Sequence, residues 1–105
     1  MKEYIIQRVC DRFDITQNLL ISKYRQRFII DARQTVVFAL TKLGFTQQDV
    51  AERLNYADHT TVNHLLNKRI HNSLKNRTLA NQIIKEYDDM TDEEKSRYNE
   101  NMEEK

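Results

Sequence analysis

A chain of 105 residues with no proline and one glycine, Gly44, has almost no means of making hairpins or tight reversals. Strands need such reversals to pair, so the sequence predicts an all-α protein. The same scarcity excludes a P-loop or a dinucleotide-binding fingerprint, both of which need glycines where backbone approaches phosphate. No nucleotide and no cofactor are expected. The longest apolar run, Val36 to Leu40, is five residues, far too short to span a bilayer, and the N-terminus lacks signal-peptide organisation. A cytoplasmic setting without a membrane partner is expected. Cys10 stands alone, which leaves no intramolecular disulfide framework and no multi-thiolate metal site; it reads as a small core residue.

The net charge of +1 hides an asymmetry. Residues 1–78 hold 13 Lys+Arg against 7 Asp+Glu, and residues 79–105 hold 4 against 9, so a module of +6 precedes a segment of −5. The expected organisation is one basic domain over 1–78 and an acidic C-terminal helix or disordered tail over 79–105, the tail available to a protein partner.

Apolar periodicity divides the basic part into helices. Tyr4, Ile5, Ile6, Val9, Cys10 and Phe13 mark a first helix over 2–13, broken by Asp14. Thr16 or Asn18 caps a short second one through Ile21. A long third helix runs from about Gln26 to Leu43, with Phe28, Ile29, Ala32, Val36, Ala39, Leu40 and Leu43 on one broad face and Gly44 as its left-handed cap. Thr46 caps a helix to Leu54, Asn55 turns the chain where a glycine is usual, and Asp58 caps a helix over 58–71 that buries Val62, Leu65, Leu66 and Ile70. Leu79, Ile83, Ile84 and Tyr87 suggest a further helix, and Thr91 starts a capping-box pattern; Tyr98 and Met102 are all that remains to bury after it.

Residues 46–54 and 58–71 form a helix-turn-helix pattern, in which the first helix braces a second whose exposed start enters the DNA major groove. Asp58, His59, Thr60 and Thr61 stand in succession at that start. Asp58 can accept from a cytosine amino group, His59 can donate or pack on a thymine methyl, and Thr60 can offer a hydroxyl or a methyl to a base edge. Thr61 and Asn63 can reach phosphate. The ordinary reading of an Asp in this setting is a helix cap, and the two roles can coexist. His59 and His64 are five apart and share no face, so a metal site is not expected; His64 and His71 read as packed or solvated. Arg25 and Arg27 precede the long helix, where an arginine can enter a narrow minor groove or simply be solvated; Arg33, within that helix, is either a solvent charge or a phosphate anchor.

The run Ser22-Lys23-Tyr24-Arg25, with Arg27, Arg33-Gln34 and the pentapeptide Asp58-His59-Thr60-Thr61-Val62, resembles the C-terminal DNA-binding domain of the bacterial replication initiator family, DnaA, over roughly residues 3–71. The resemblance implies a Trp-repressor-like helix-turn-helix that binds asymmetric boxes on double-stranded DNA as a monomer. It implies Arg25 as the minor-groove arginine, Asp58, His59 and Thr60 as major-groove readers, and Lys23, Arg33 and Thr61 as backbone contacts. Arg27, Thr46 and Asn63 complete the expected set of backbone contacts. The sequence departs from the family's pattern at Tyr24, where another basic residue is common, at Asn55-Tyr56-Ala57, which replaces a Gly-Gly-Arg turn, and in the acidic segment. It holds no counterpart of the initiator's ATPase module.

The expected function is therefore sequence-specific binding of double-stranded DNA by a non-enzymatic regulator of replication or transcription, in a host, phage or mobile element. The rival is an adaptor whose helix-turn-helix no longer binds DNA and whose acidic tail or Tyr56 face docks a protein.

Overall fold

A computed structural model describes residues 2–66 and 72–96. Its helices are α1 (Lys2–Phe13), α2 (Gln17–Leu20), α3 (Arg27–Lys42), α4 (Gln47–Arg53), α5 (Thr60–Leu65) and α6 (Ser73–Asp88), and residues 92–96 form one further helical turn. Ile70, His71, Tyr98 and Met102 lie outside the described residues.

The centre of the molecule is α3. Every residue from Ala32 to Leu40 is buried, because α1 and α6 pack along its length and α2, α4 and α5 close its remaining sides. A helix buried all round needs apolar residues all round, and Val36, Val37, Phe38, Ala39 and Leu40 supply them. The one-face expectation for α3 is thereby corrected at its start: Phe28 is 47% exposed while the adjacent Ile29 is buried, since the first turn is covered on one side alone. From α1 come Ile5, Ile6 and Val9, each with no exposed surface, and from α6 come Ala80 and Ile83. Burying one such aliphatic side chain contributes about 1.5 to 3 kcal/mol, as an upper estimate. Cys10 is buried here as expected, and that burial pushes its thiol up to about 11.

Three helices end in the same way. After α1, α3 and α4 the chain turns through a left-handed residue, Asp14 (φ 55), Gly44 (φ 98) and Asn55 (φ 64). Each turn carries a nested pair of hydrogen bonds. Ile15 N–H donates to the Cys10 carbonyl, Phe45 to Leu40 and Tyr56 to Ala51, while Asp14 donates to Asp11, Gly44 to Thr41 and Asn55 to Glu52. This is the Schellman arrangement, which satisfies carbonyls left over at a helix end. Short polar side chains tolerate the left-handed region, so a chain with one glycine can still stop three helices sharply.

The domain boundary expected at residue 78 falls inside α6. That helix packs along α3, and Arg8 and Arg12 of α1 both donate to Glu86 near its end, at 3.0 and 2.7 Å. The Tyr87 ring meets Tyr4 at a centroid distance of 5.0 Å. One face of this segment, Ala80, Ile83, Ile84 and Tyr87, therefore belongs to the core. Beyond them, Thr91 accepts from Glu94 N–H as the capping pattern predicts, and Lys95 lies over the Tyr87 ring. Among the described residues, no helix is long and apolar enough to cross a membrane.

Candidate nucleic-acid interface

The α4–turn–α5 unit is built from its caps. Thr46 Oγ1 accepts from Asp49 N–H at 3.1 Å and starts α4. The unit then buries Val50, Ala51 and Leu54 from α4 against Val62 and Leu65 from α5. Between them the left-handed Asn55 reverses the chain. The Asp58 carboxylate accepts from Thr60 N–H at 2.8 Å, and this hydrogen bond holds the carboxyl below its usual range. The expected Asp58 cap is thereby corrected: α5 begins at Thr60 with His59 in the N-cap position and no side-chain cap bond, and Asp58, one residue earlier, closes a turn onto the Thr60 N–H instead.

With Val62 and Leu65 turned inward, the other side of α5 is left to solvent: Asp58, His59, Thr60, Thr61, Asn63 and His64 are all exposed. The unit is fastened from behind. Arg53, in the last turn of α4, donates to both Glu3 carboxylate oxygens at 2.8 and 2.9 Å and to Gln17 Oε1 at 2.8 Å. The Arg53 hydrogen bond lowers the Glu3 carboxyl below its ordinary range, against the opposing effect of burial.

A second exposed element faces the first. Residues 23–28 are exposed throughout and include Lys23, Arg25 and Arg27. Their path is set by Arg33, whose placement corrects the expectation of a free phosphate anchor or solvent charge. Arg33 is 6% exposed; its Nε donates to the Leu20 carbonyl at 2.7 Å and its Nη2 to the Ser22 carbonyl. Buried backbone carbonyls need donors, and the planar guanidinium serves two at once. Arg33 therefore holds the loop that carries Lys23 and Arg25.

The two elements border one hollow of 610 Å³, lined by Arg25, Ile30, Arg33, Tyr56, Thr60, Thr61, His64 and Leu65. Of the expected residues, Arg25, Arg33, Thr60 and Thr61 come together there. Lys23, Arg27, Thr46, Asp58, His59 and Asn63 are exposed outside its lining. Tyr56, which the sequence analysis placed in the turn, enters the lining half-buried. Burial raises its phenol above the ordinary range, against the opposing influence of Arg33 and Arg25, which line the same hollow.

Sequence reasoning missed the polar brace beneath α5. Gln34, fully buried, donates to the Leu65 carbonyl at 2.9 Å and accepts from Asn76 Nδ2 at 2.7 Å. Asn76 and Asn72 also donate to Asp31, each at 3.1 Å. The last turn of the recognition helix is thereby tied through α3 to the first turn of α6. One signal was available: Arg33 and Gln34 interrupt the apolar face between Ala32 and Val36, where a polar residue must either be exposed or find a partner.

A helix pair with its second helix exposed along a polar face, beside a basic loop, defines a helix-turn-helix DNA-binding domain. Residues 2–70 match the family described as bacterial dnaA protein helix-turn-helix, and the chain belongs to that family. It is also similar to the chromosomal replication initiator protein DnaA of Ureaplasma parvum, at 36% identity over 67 residues, which cover 63% of this chain and 15% of that protein. The protein of the same name from Thermomicrobium roseum is 33% identical over 67 residues, covering 63% of this chain and 14% of the relative. The chain thus spans about a seventh of the length of these relatives. No solved structure matches it. Membership supports double-stranded DNA as the partner.

Proposed function

We propose that this protein binds double-stranded DNA in a sequence-specific manner, with the start of α5 in the major groove and the 23–27 loop reaching the adjacent minor groove. The observation that carries the reading is the shared hollow, in which Arg25 from one element and Thr60 and Thr61 from the other face the same space. Asp58, His59 and Thr60 read base edges; Arg25 enters the minor groove. Lys23, Arg27, Thr46, Thr61 and Asn63 meet the backbone. Arg33 acts on the DNA through the loop it holds.

Between residues 15 and 30 there is no carboxylate, so nothing in that stretch opposes phosphate. One copy of the chain supplies both elements, which suits a monomer on an asymmetric box. The biological role we assign is regulation of replication or transcription at such boxes, in the cytoplasm, and the names of the matched relatives favour replication.

The test is a mobility-shift titration at fixed salt. It compares a duplex selected from a random library by this protein with a scrambled duplex. His59→Ala and Thr60→Ala should each cost about 1 to 3 kcal/mol on the selected duplex and little on the scrambled one. Equal losses on both would remove base reading from α5. Failure of the unaltered protein to shift any duplex would favour an adaptor.

A further inference from the structure

Three large hydrophobic side chains stand exposed among the described residues: Tyr24 at 61%, Phe28 at 47% and Leu74 at 82%. Single exposed apolar residues are ordinary, but two of these three fall within five residues of each other. The span that holds them, Lys23-Tyr24-Arg25-Gln26-Arg27-Phe28, is exposed at every position. The two aromatic rings have no ring or cation contact among the described residues.

The rings are carried on backbone that is held in place. Arg33 fixes the Ser22 carbonyl, Tyr24 N–H donates to Ser22 Oγ at 3.3 Å, and the Gln26 carbonyl accepts from Ile29 and Ile30 N–H at 3.0 and 3.1 Å as α3 begins. Lys23, Arg25 and Arg27 alternate with the two rings, and Arg25 joins the segment to the hollow beside α5. Charge complementarity and continuity with the DNA surface therefore choose the occupant: a polyanion that also offers flat apolar faces. Stacked bases are such faces, and proteins that enter the minor groove insert apolar wedges between them.

On the reading that this surface binds DNA, we propose that Tyr24 and Phe28 form a wedge that partly unstacks a base step beside the point where Arg25 enters the minor groove, bending the duplex there. Stacking gained by the rings is largely offset by stacking lost between bases. The wedge thus changes DNA shape and step preference more than affinity. Pyrimidine–purine steps such as TA and CA, which unstack readily, are the ones it favours.

The test uses the full chain and the duplex recovered by selection, with 2-aminopurine placed at successive positions, and reads fluorescence at saturating protein together with bend angle from circularly permuted fragments. The expected result is a rise in fluorescence confined to one step at the Arg25 end of the site, accompanied by a bend. Tyr24→Ala, Phe28→Ala and Tyr24→Arg should lose the rise and most of the bend, while affinity falls by less than about tenfold. Circular dichroism confirms folding, and exposed positions make unfolding by these variants a poor explanation of any loss. A clean shift with flat fluorescence at every position overturns the wedge and leaves DNA binding intact. So does a rise that survives Tyr24→Ala and Phe28→Ala together, which would leave the rings to a protein partner. Failure of the unaltered protein to select or shift any duplex overturns both readings.

Discussion

The α1–α3–α6 body and the edge proposed to face DNA are made of the same residue types and use them oppositely. In the body, apolar side chains fill the interior, and ion pairs such as Arg8 and Arg12 with Glu86 sit at its margin. At the edge, cations, hydroxyls and two aromatic rings are held outward, while Arg33 and Gln34 are drawn inside to hold them there. Stability resides in the first region, the second is the surface proposed for recognition, and a small set of buried polar residues connects them.

That division breaks if changes in the body alter DNA recognition directly, so the largest expected effect tests it first. Leu40→Ala, deep in α3, should destabilise the fold by about 2 to 5 kcal/mol in urea unfolding. Affinity per folded molecule should stay the same. A shift in base preference by this variant would mean that the two regions are not separable.

The connection itself is tested next. Gln34→Met keeps size but leaves the Leu65 carbonyl and one Asn76 donor unpaired, which should cost about 1 to 3 kcal/mol of stability. Here, unlike Leu40→Ala, affinity of the folded protein should also fall, because the last turn of α5 loses its fastening. Titration of the selected duplex at a temperature where the variant is fully folded decides the point; unchanged affinity would reduce the Gln34–Asn76 pair to a packing device.

Asn55 sharpens the comparison within the edge. Asn55→Ala places an ordinary side chain at φ 64 and should destabilise by about 1 kcal/mol, whereas Asn55→Gly should hold or raise the melting temperature. Thermal unfolding of both variants is the check, and equal behaviour would show that the turn is not conformationally demanding.

The smallest effect concerns pH. Glu3 has its carboxyl lowered chiefly by the Arg53 hydrogen bond, so its contribution is present above the unfolded value near 4.5 and is lost as pH falls through the lowered folded value. The pair is partly exposed, with Glu3 at 37%, which limits the contribution to about 1 kcal/mol or less. Glu3→Gln should flatten the acid limb of the stability curve by that amount and leave stability near neutrality lower by the same; parallel acid limbs would contradict the assignment.

How much of this was legible beforehand follows from what each signal encodes. Helix boundaries were readable because periodicity and caps are local: Asp14, Thr16, Gly44, Thr46 and Asn55 stand where the chain turns. The exposed face at the start of α5 was readable because a run of short polar residues has no place in a core. The fate of Arg33 was not, since whether an arginine in a helix meets solvent or a carbonyl depends on where the 21–26 loop passes, a tertiary matter. The boundary at 78 failed for a related reason. Charge changes sign near it, but apolar spacing through Ala80, Ile83 and Tyr87 continues, and packing follows the apolar pattern. The exposure of Tyr24 and Phe28 was not legible either, since an aromatic at a loop or helix start is as readily buried as exposed until the packing is known.

On the proposed reading, two separate elements, braced by buried polar residues, read two parts of one DNA site. The most direct measurement is a base-by-base specificity profile of the unaltered protein, Arg25→Ala and Thr60→Ala on every single-base variant of the selected duplex. Arg25→Ala should relax preference at one end of the site and Thr60→Ala at the other, each by about 1 to 3 kcal/mol at the affected positions. Uniform losses across the site in both variants, or relaxation at the same positions, would contradict it.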